Sequence, residues 1–176
     1  MKGKVFMCLF ALPFLGVGLW MGSSMFGHAF DAWLMRGWTP VQATVHRGGY
    51  ETRSGDDADT YEAYADYAYV WNERQYYGNR VSISGGADNI GDYQQALGRQ
   101  LSNASSRGAP ITAWIDPADP SSSVVDRNLR WGLIGFKAIF FLVFGGVGAG
   151  LLYLVFRRGS RADLAESVAA DRPWLA

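Results

Sequence analysis

The sequence predicts an α+β membrane protein in which two transmembrane helices flank a small antiparallel β-rich extracytoplasmic domain with one amphipathic helix. Two long uncharged segments lie near the ends of the 176-residue chain, and alternating apolar patterns fill the region between them. Charged residues make up 18% of the chain, below the usual quarter, because those two segments carry almost none. The 16 basic and 16 acidic residues cancel, so the composition predicts no nucleic-acid partner.

The first uncharged segment covers residues 5–26. As a helix it spans roughly 33 Å, enough for a hydrocarbon core of about 30 Å. The second segment, residues 138–156, spans roughly 28 Å as a helix. It extends back to residue 132 if Lys137 snorkels to the headgroups. A cleaved signal peptide is the alternative for the first segment, but its apolar run exceeds the usual length of about 7–15 residues.

The cations beside the spans predict the topology. Lys2 and Lys4 precede the first span, and Arg157, Arg158 and Arg161 follow the second. By the positive-inside rule both termini are cytoplasmic. The predicted regions are a cytoplasmic N-terminus (1–4), the first span (5–26), the extracytoplasmic domain (27–131), the second span (132–156) and a cytoplasmic tail (157–176).

Glycines recur four residues apart in both spans: Gly18 with Gly22, and Gly146 with Gly150. This spacing lets helix backbones approach closely in lipid. Gly18 and Gly146 each lie eight residues inside the outer end of their segment, so we expect the two helices to pack together within one chain. A homo-oligomer formed through the same faces is the alternative.

The middle of the chain predicts short strands and one helix. The first helix is expected to continue along the membrane surface to Pro40. Strands are predicted at 41–46, 61–71, 75–84 and 111–115, a loop at 48–60, a polar turn at 72–74, a helix from Asp92 to Gly108 and two Asp-Pro turns at 116–120. We expect the strands to form a sandwich or a partly open barrel.

A row of aromatic residues follows the predicted hairpin. Tyr67, Tyr69 and Trp71 share one face of their strand, and Tyr76 lies on the next strand. Two interpretations stay open: the rings pack in the core, or they form an exposed interaction face that stacks on a ligand. The second interpretation does not extend to nucleic acid, because the neighbouring charges are not cationic.

The sequence predicts no enzyme. Residues 27–131 contain no spacing typical of a Ser/His/Asp or Cys/His nucleophile or of a zinc site. Cys8 is the single cysteine, and Asp56, Asp57 and Asp59 lack the glycine and final glutamate of an EF-hand. We therefore expect no catalytic residue, no metal and no cofactor.

Three groups of residues resemble a known pattern. The first is Trp38 with Ala43-Thr44-Val45; the second is Tyr67, Tyr69, Tyr76 and Gly78; the third is Gly108, Ile111, Ala113, Ile115, Pro117, Pro120 and Ser123, with an apolar helix after it. Together, over roughly residues 38–156, they resemble DUF3592, a bacterial membrane-associated family of unknown function. The chain departs from the pattern where Asn72-Glu73 replaces a turn glycine. The tail 172–175 resembles the start of a further segment in longer relatives, which implies a short or truncated member.

The resemblance implies the inner membrane of a bacterium and no particular activity. We therefore expect a non-enzymatic, two-span inner-membrane protein that presents a periplasmic interaction domain. Its expected partners are the lipid bilayer and an unidentified protein. A membrane-tethered immunity or inhibitor protein that acts against a toxin is the alternative.

Overall fold

The computed structural model describes residues 2–157, so Arg158, Arg161 and the tail to residue 176 lie outside the described residues. The elements in chain order are α1 (Lys2–Leu34), a 3-10 turn (Met35–Gly37), β1 (Thr39–Arg53), β2 (Thr60–Trp71), β3 (Arg74–Gly78), α2 (Tyr93–Arg107), β4 (Pro110–Ile115), β5 (Ser123–Val124) and α3 (Trp131–Phe140). A π turn, Phe141–Gly145, follows α3, and residues 146–157 are again helical. We call residues 131–157 the C-terminal helix.

The chain forms two compact units. One consists of the described parts of Met1–Met25 and Gly135–Ala176, and we call it the helix pair; the other, Phe26–Ile134, we call the sheet domain. Two helical stretches, Lys4–Gly37 and Trp131–Arg157, are long and apolar enough to cross a membrane, judged by length and composition alone. Helices and antiparallel strands are both present, so the predicted α+β class is found.

The sheet domain contains one open sheet of five antiparallel strands in the order β3-β2-β1-β4-β5. The predicted sandwich or partly open barrel is therefore wrong. No second sheet is needed, because α2 packs against β1 and β2 and covers the face that a second sheet would otherwise bury. The core beneath α2 consists of Ala43, Val45, Ala65, Tyr67, Tyr69, Val81, Leu97, Leu101, Ala104, Ile111, Ala113 and Ile115.

Strand β1 is much longer than predicted, because residues 48–53 pair with β2 instead of forming a loop. A bulge at His46 separates the two halves: Val45 pairs with Tyr67, but Arg47 pairs with Asp66. Glycine permits the close approach of α2 to this strand. A Cβ on Gly98 of α2 would lie 2.6 Å from the Cβ of Tyr50 and 2.8 Å from the carbonyl oxygen of Gly49.

The turn between β2 and β3 has two residues. Asn72 and Glu73 have φ values of 48° and 64°, and Trp71 pairs with Arg74 across them. This is the geometry of a type I′ hairpin turn, for which glycine or asparagine is preferred. Strand β3 ends at Gly78 rather than at Ser84 as predicted, because the chain then leaves the sheet, and Ser82 forms an isolated bridge with Asp126.

Helix α2 confirms the prediction from its caps. It begins after Asp92 and ends at Gly108, whose φ of 62° is readily adopted by glycine. The side chain of Asp92 makes no capping hydrogen bond, but its carbonyl accepts the N–H of Ala96 at 2.8 Å. The two Asp-Pro turns are also confirmed, since Asp116 and Asp119 accept backbone N–H groups two residues on.

The helix pair packs through only part of the predicted set of glycines: Gly18 and Gly22 of α1 lie against the C-terminal helix, but Gly146 and Gly150 do not lie against α1. A Cβ on Gly18 would lie 2.5 Å from the backbone nitrogen of Gly145, and one on Gly22 would lie 2.7 Å from the ring of Phe141. A Cβ on Gly146 or on Gly150 would meet nothing within 4 Å. The predicted depth of the contact along the C-terminal helix was accurate to one residue, Gly145 instead of Gly146, but the predicted face of that helix was wrong. One residue is about 100° of helix rotation, so the face that carries Phe141 and Gly145 turns Gly146 away from α1.

Candidate functional site

The aromatic row lies mainly in the core. Tyr67 and Tyr69 are 1% and 2% exposed, and the ring of Tyr76 stacks on Tyr69 with the centroids 5.9 Å apart. Trp71 and Tyr76 are half-buried and pack against the same cluster. Of the two interpretations left open by the sequence, core packing is the correct one for Tyr67 and Tyr69, and these rings do not form an exposed stacking platform.

The hydroxyl groups of the two buried tyrosines fasten the hairpin to later parts of the chain. The Tyr67 hydroxyl donates to the carbonyl of Arg80 at 3.1 Å and lies 3.0 Å from the Ser123 hydroxyl. The Tyr69 hydroxyl donates to the carbonyl of Pro120 at 2.8 Å. Burial raises the pKa of Tyr67 to about 12, although the Ser123 hydrogen bond acts in the opposite direction. Burial also raises the pKa of Tyr69.

The face of the sheet opposite α2 carries the residues that the sequence reasoning missed. Val70 of β2 is 62% exposed and Tyr77 of β3 is 70% exposed, whereas the core residues beside them are almost fully covered. The signal was present in the alternation, because Val70 falls on the strand face opposite Tyr67 and Tyr69. The sequence alone could not show that this face is open at Val70 and Tyr77. At its other end the same face is covered, because Trp114 and Val124 pack with Met35 at the end of α1.

A groove opens at one end of this face. Pairing between β1 and β2 stops at Ala43 and Tyr69, while β1 continues to pair with β4 and β2 with β3. The two strands therefore diverge, and a groove of about 580 Å³ lies between them. Its lining consists of Val41, Gln42, Thr44, His46, Ala68, Tyr69, Val70, Trp71 and Gln75. We call it the strand groove; none of its lining residues is Asp, Glu, Lys or Arg.

A buried ion pair joins the segment before α2 to the residue before the C-terminal helix. The Arg130 guanidinium contacts both carboxylate oxygens of Asp88, at 2.5 and 2.8 Å, with side-chain exposures of 7% and 17%. Gln94 donates to the same carboxylate, and Arg130 lies over the ring of Tyr93. Burial raises the pKa of Asp88, but hydrogen bonds from Arg130, Gln94 and the Ile90 backbone outweigh it and hold the pKa below its ordinary value.

The last turns of α1 also belong to the sheet domain and are held by polar contacts. Arg80 donates to Asp31 at 2.7 Å, and His28 Nδ1 lies 2.8 Å from the Ser84 hydroxyl. Arg127 stacks on Trp114 at 3.4 Å from the ring centroid. The same guanidinium donates to three carbonyls at the end of the helix and its 3-10 turn, those of Met35, Arg36 and Trp38. A cation at this end complements the helix dipole.

The carboxylates of these clusters are already engaged by other side chains. In residues 2–157 no group of three His, Cys, Asp or Glu side chains could hold a metal ion. Asp88 is committed to Arg130 and Gln94, and Asp31 to Arg80, so neither carboxylate is placed as a proton acceptor for a substrate. The strand groove is a concave region lined without Asp, Glu, Lys or Arg.

The comparison with protein families identifies this domain. The model of the family described as "Domain of unknown function (DUF3592)" matches residues 41–130, which include all five strands except the first two residues of β1. No curated protein matches the chain. The family match covers just over half of the 176 residues and ends beside the buried Arg130. The chain therefore belongs to the DUF3592 family.

Proposed function

We propose that this chain is a non-enzymatic protein of the bacterial inner membrane that presents its sheet domain to the periplasm as an interaction module. In this proposal the helix pair crosses the bilayer twice, and both termini are cytoplasmic. Two helices of sufficient length and apolar character, and the cations at the outer ends of the chain, support this topology.

The observation that carries the interaction function is the strand groove. The diverging edges of β1 and β2 leave backbone groups that are not paired between these strands, and such edges bind extended peptide segments through main-chain hydrogen bonds. The exposed Val70 and the neutral polar side chains around it suit an uncharged segment. We therefore propose an extended, uncharged segment of a periplasmic protein as the occupant.

A site-specific photo-crosslinker tests this function. Placed at Gln75 in the groove, it should form an adduct with one partner protein in intact cells, and mass spectrometry should locate the adduct in an uncharged segment. The same probe at Gln100, on the exposed side of α2, should form none. Val70→Asp should abolish the Gln75 adduct, because a charge in an uncharged interface must be desolvated.

Three results would contradict the proposal: equal adducts at both positions, no adduct at either, or an adduct unaffected by Val70→Asp. An adduct between two copies of this chain would replace the partner protein by a homo-oligomer. An adduct with a secreted toxin would support the alternative of an immunity protein.

The topology has its own test. Alkaline phosphatase fused after Gly86 should be active, because that position lies in the sheet domain, and the same enzyme fused after Arg161 should be inactive. The reverse pattern would overturn the orientation and the periplasmic location together.

A further inference from the structure

The last two turns of α1 have two different faces. His28, Asp31 and Met35 face the sheet domain, where Asp31 is bound to Arg80 and Met35 is 2% exposed. The other face carries Phe30 and Trp33, which are 58% and 60% exposed; Leu34 lies at the edge between the two faces and is 49% exposed. The rings of Phe30 and Trp33 stack on each other with their centroids 5.9 Å apart. Large apolar groups in a contiguous exposed set mark an interaction surface.

The position of these residues along α1 indicates what covers them. Phe30 lies four residues beyond Phe26, the end of the uncharged segment, and Trp33 lies seven beyond it. In a continuous helix these distances are about 6 and 10 Å. The headgroup layer on each side of a bilayer is about 5–8 Å thick. Helical side chains point back toward the N-terminus, so the ring of Trp33 is directed toward this layer rather than away from it.

The neighbouring charges fit the same partner. Arg36, in the 3-10 turn directly after α1, is exposed, and the one acid among residues 26–37, Asp31, is bound to Arg80. An exposed cation beside aromatic rings complements lipid phosphates. Trp131, the first residue of α3, is 75% exposed where the C-terminal helix begins.

We propose that Phe30, Trp33, Leu34 and Arg36 form a lipid-binding belt that lies in the phospholipid headgroup layer. The belt is a second membrane contact, made by the sheet domain itself in addition to the two spans. It rests on the proposed membrane location and adds that the base of the domain lies in the headgroup layer.

Fluorescence quenching in vesicles tests the belt with the full chain. In a Cys8→Ser background, a nitrobenzoxadiazole label is attached to a single cysteine at Leu34, at Asp57 or at Leu19. The vesicles contain phosphatidylcholine and phosphatidylglycerol with a nitroxide either on the headgroup or deep in the acyl chain. We expect the headgroup nitroxide to quench the Leu34 label several-fold more than the Asp57 label, which lies in the exposed loop after β1, at the end of that strand farthest from α1.

The variants separate the belt from the spans. Replacing Phe30 and Trp33 together by serine should lower the quenching at Leu34 toward the level at Asp57, and Arg36→Glu should lower it in part. Equal quenching at Leu34 and Asp57 in the parent would overturn the belt. If the deep nitroxide also fails to quench the label at Leu19, the membrane location itself is wrong; if it quenches Leu19, only the belt is wrong.

Discussion

The helix pair and the sheet domain both bring backbones together at glycine, but the contacts do different work. Gly18 touches the backbone of Gly145 between two helices, and Gly98 of α2 touches the backbone of β1. In the bilayer location proposed for the helix pair, apolar burial offers little attraction between helices, so close packing is itself a principal attraction. In the sheet domain apolar burial drives association, and Gly98 only removes an obstacle. The sheet domain also contains the buried pair of Asp88 and Arg130.

The largest effect should come from that ion pair. Arg130→Met leaves the carboxylate of Asp88 without its main partner in a place that is 17% exposed. We expect a loss of about 3–5 kcal/mol in the free energy of unfolding of the sheet domain, because a buried charge is left uncompensated. Near-ultraviolet circular dichroism during denaturant unfolding in detergent measures it.

Arg53→Met is the matched control, since Arg53 is 62% exposed in its pair with Glu62. It should cost about 0–1 kcal/mol. Low pH should also distinguish the stabilities of the two variants, because the pair of Asp88 and Arg130 is intact only in Arg53→Met. The pKa of Asp88 is lower in the folded state, so its stabilisation is complete above the ordinary pKa and is lost as the pH falls through the folded value. Equal losses in both variants would show that the buried pair is not special.

A substitution at Gly98 of the sheet domain should give the next largest loss in the free energy of unfolding. Gly98→Leu places a side chain against the backbone of β1, and we expect a loss of about 1–3 kcal/mol from overpacking. Ala96→Leu, on the exposed side of α2, should stay within about 0.5 kcal/mol of the parent. Thermal unfolding compares the two, and a stable Gly98→Leu variant would mean that α2 and β1 separate without cost.

In the helix pair we expect a smaller loss. Gly18→Leu should cost about 1–2 kcal/mol, because it pushes α1 away from Gly145. Gly146→Leu should have little effect, because a Cβ there meets nothing within 4 Å. Cysteines at Gly18 and Gly145, with Cys8 replaced, should crosslink within one chain. Crosslinks formed only between chains would assign these glycines to a dimer.

The smallest effect concerns the Tyr67 hydroxyl. Tyr67→Phe removes its hydrogen bonds to Ser123 and the Arg80 carbonyl and should cost about 0.5–1.5 kcal/mol. The folded pKa of Tyr67 is raised from 10.0 to about 12. The stabilisation that it gives is therefore complete below pH 10 and is lost as the pH rises toward 12.

The alkaline range provides the check on Tyr67. Between these two pH values the parent should lose stability more steeply than the phenylalanine variant, as measured by denaturant unfolding at each pH. Some alkaline loss should remain in the variant, because burial also raises the pKa of Tyr69 and Tyr93. Identical slopes in both proteins would contradict the burial of the Tyr67 phenol.

Local signals predicted part of this fold well. Helix α2 was predicted because both of its signals are local: the apolar stripe lies within the helix, and Gly108 directly follows its last residue. Residues 48–53 were missed because this segment, Gly48 to Arg53, is polar and rich in glycine and has no apolar alternation of its own, so its strand depends on pairing with residues 60–65. The two-residue β5 has no periodicity to detect, and the rotation that sets Gly145 against Gly18 depends on the facing helix.

The candidate site was harder to predict than the fold. The alternation assigns Tyr67 and Val70 to opposite faces, but which face is covered depends on where α2 packs. The strand groove exists because β1 pairs with β2 only from Ala43 onward, whereas residues 39–42 pair with β4 alone, and the sequence of one strand does not show where its pairing with a neighbour stops. The alternation therefore separated Tyr67 and Tyr69 from Val70 but could not show that Val70 is on the exposed face.

The π turn at Phe141–Gly145 affects how the length of the C-terminal helix can vary. A π turn holds about one residue more than an α turn, so it is a place where a helix can accommodate an extra residue locally. Deleting one residue there should leave an ordinary α turn and rotate the rest of the helix only slightly. The same deletion in a regular turn would rotate everything beyond it by about 100°. Natural relatives should therefore tolerate a one-residue gap at this turn more readily than elsewhere in the helix.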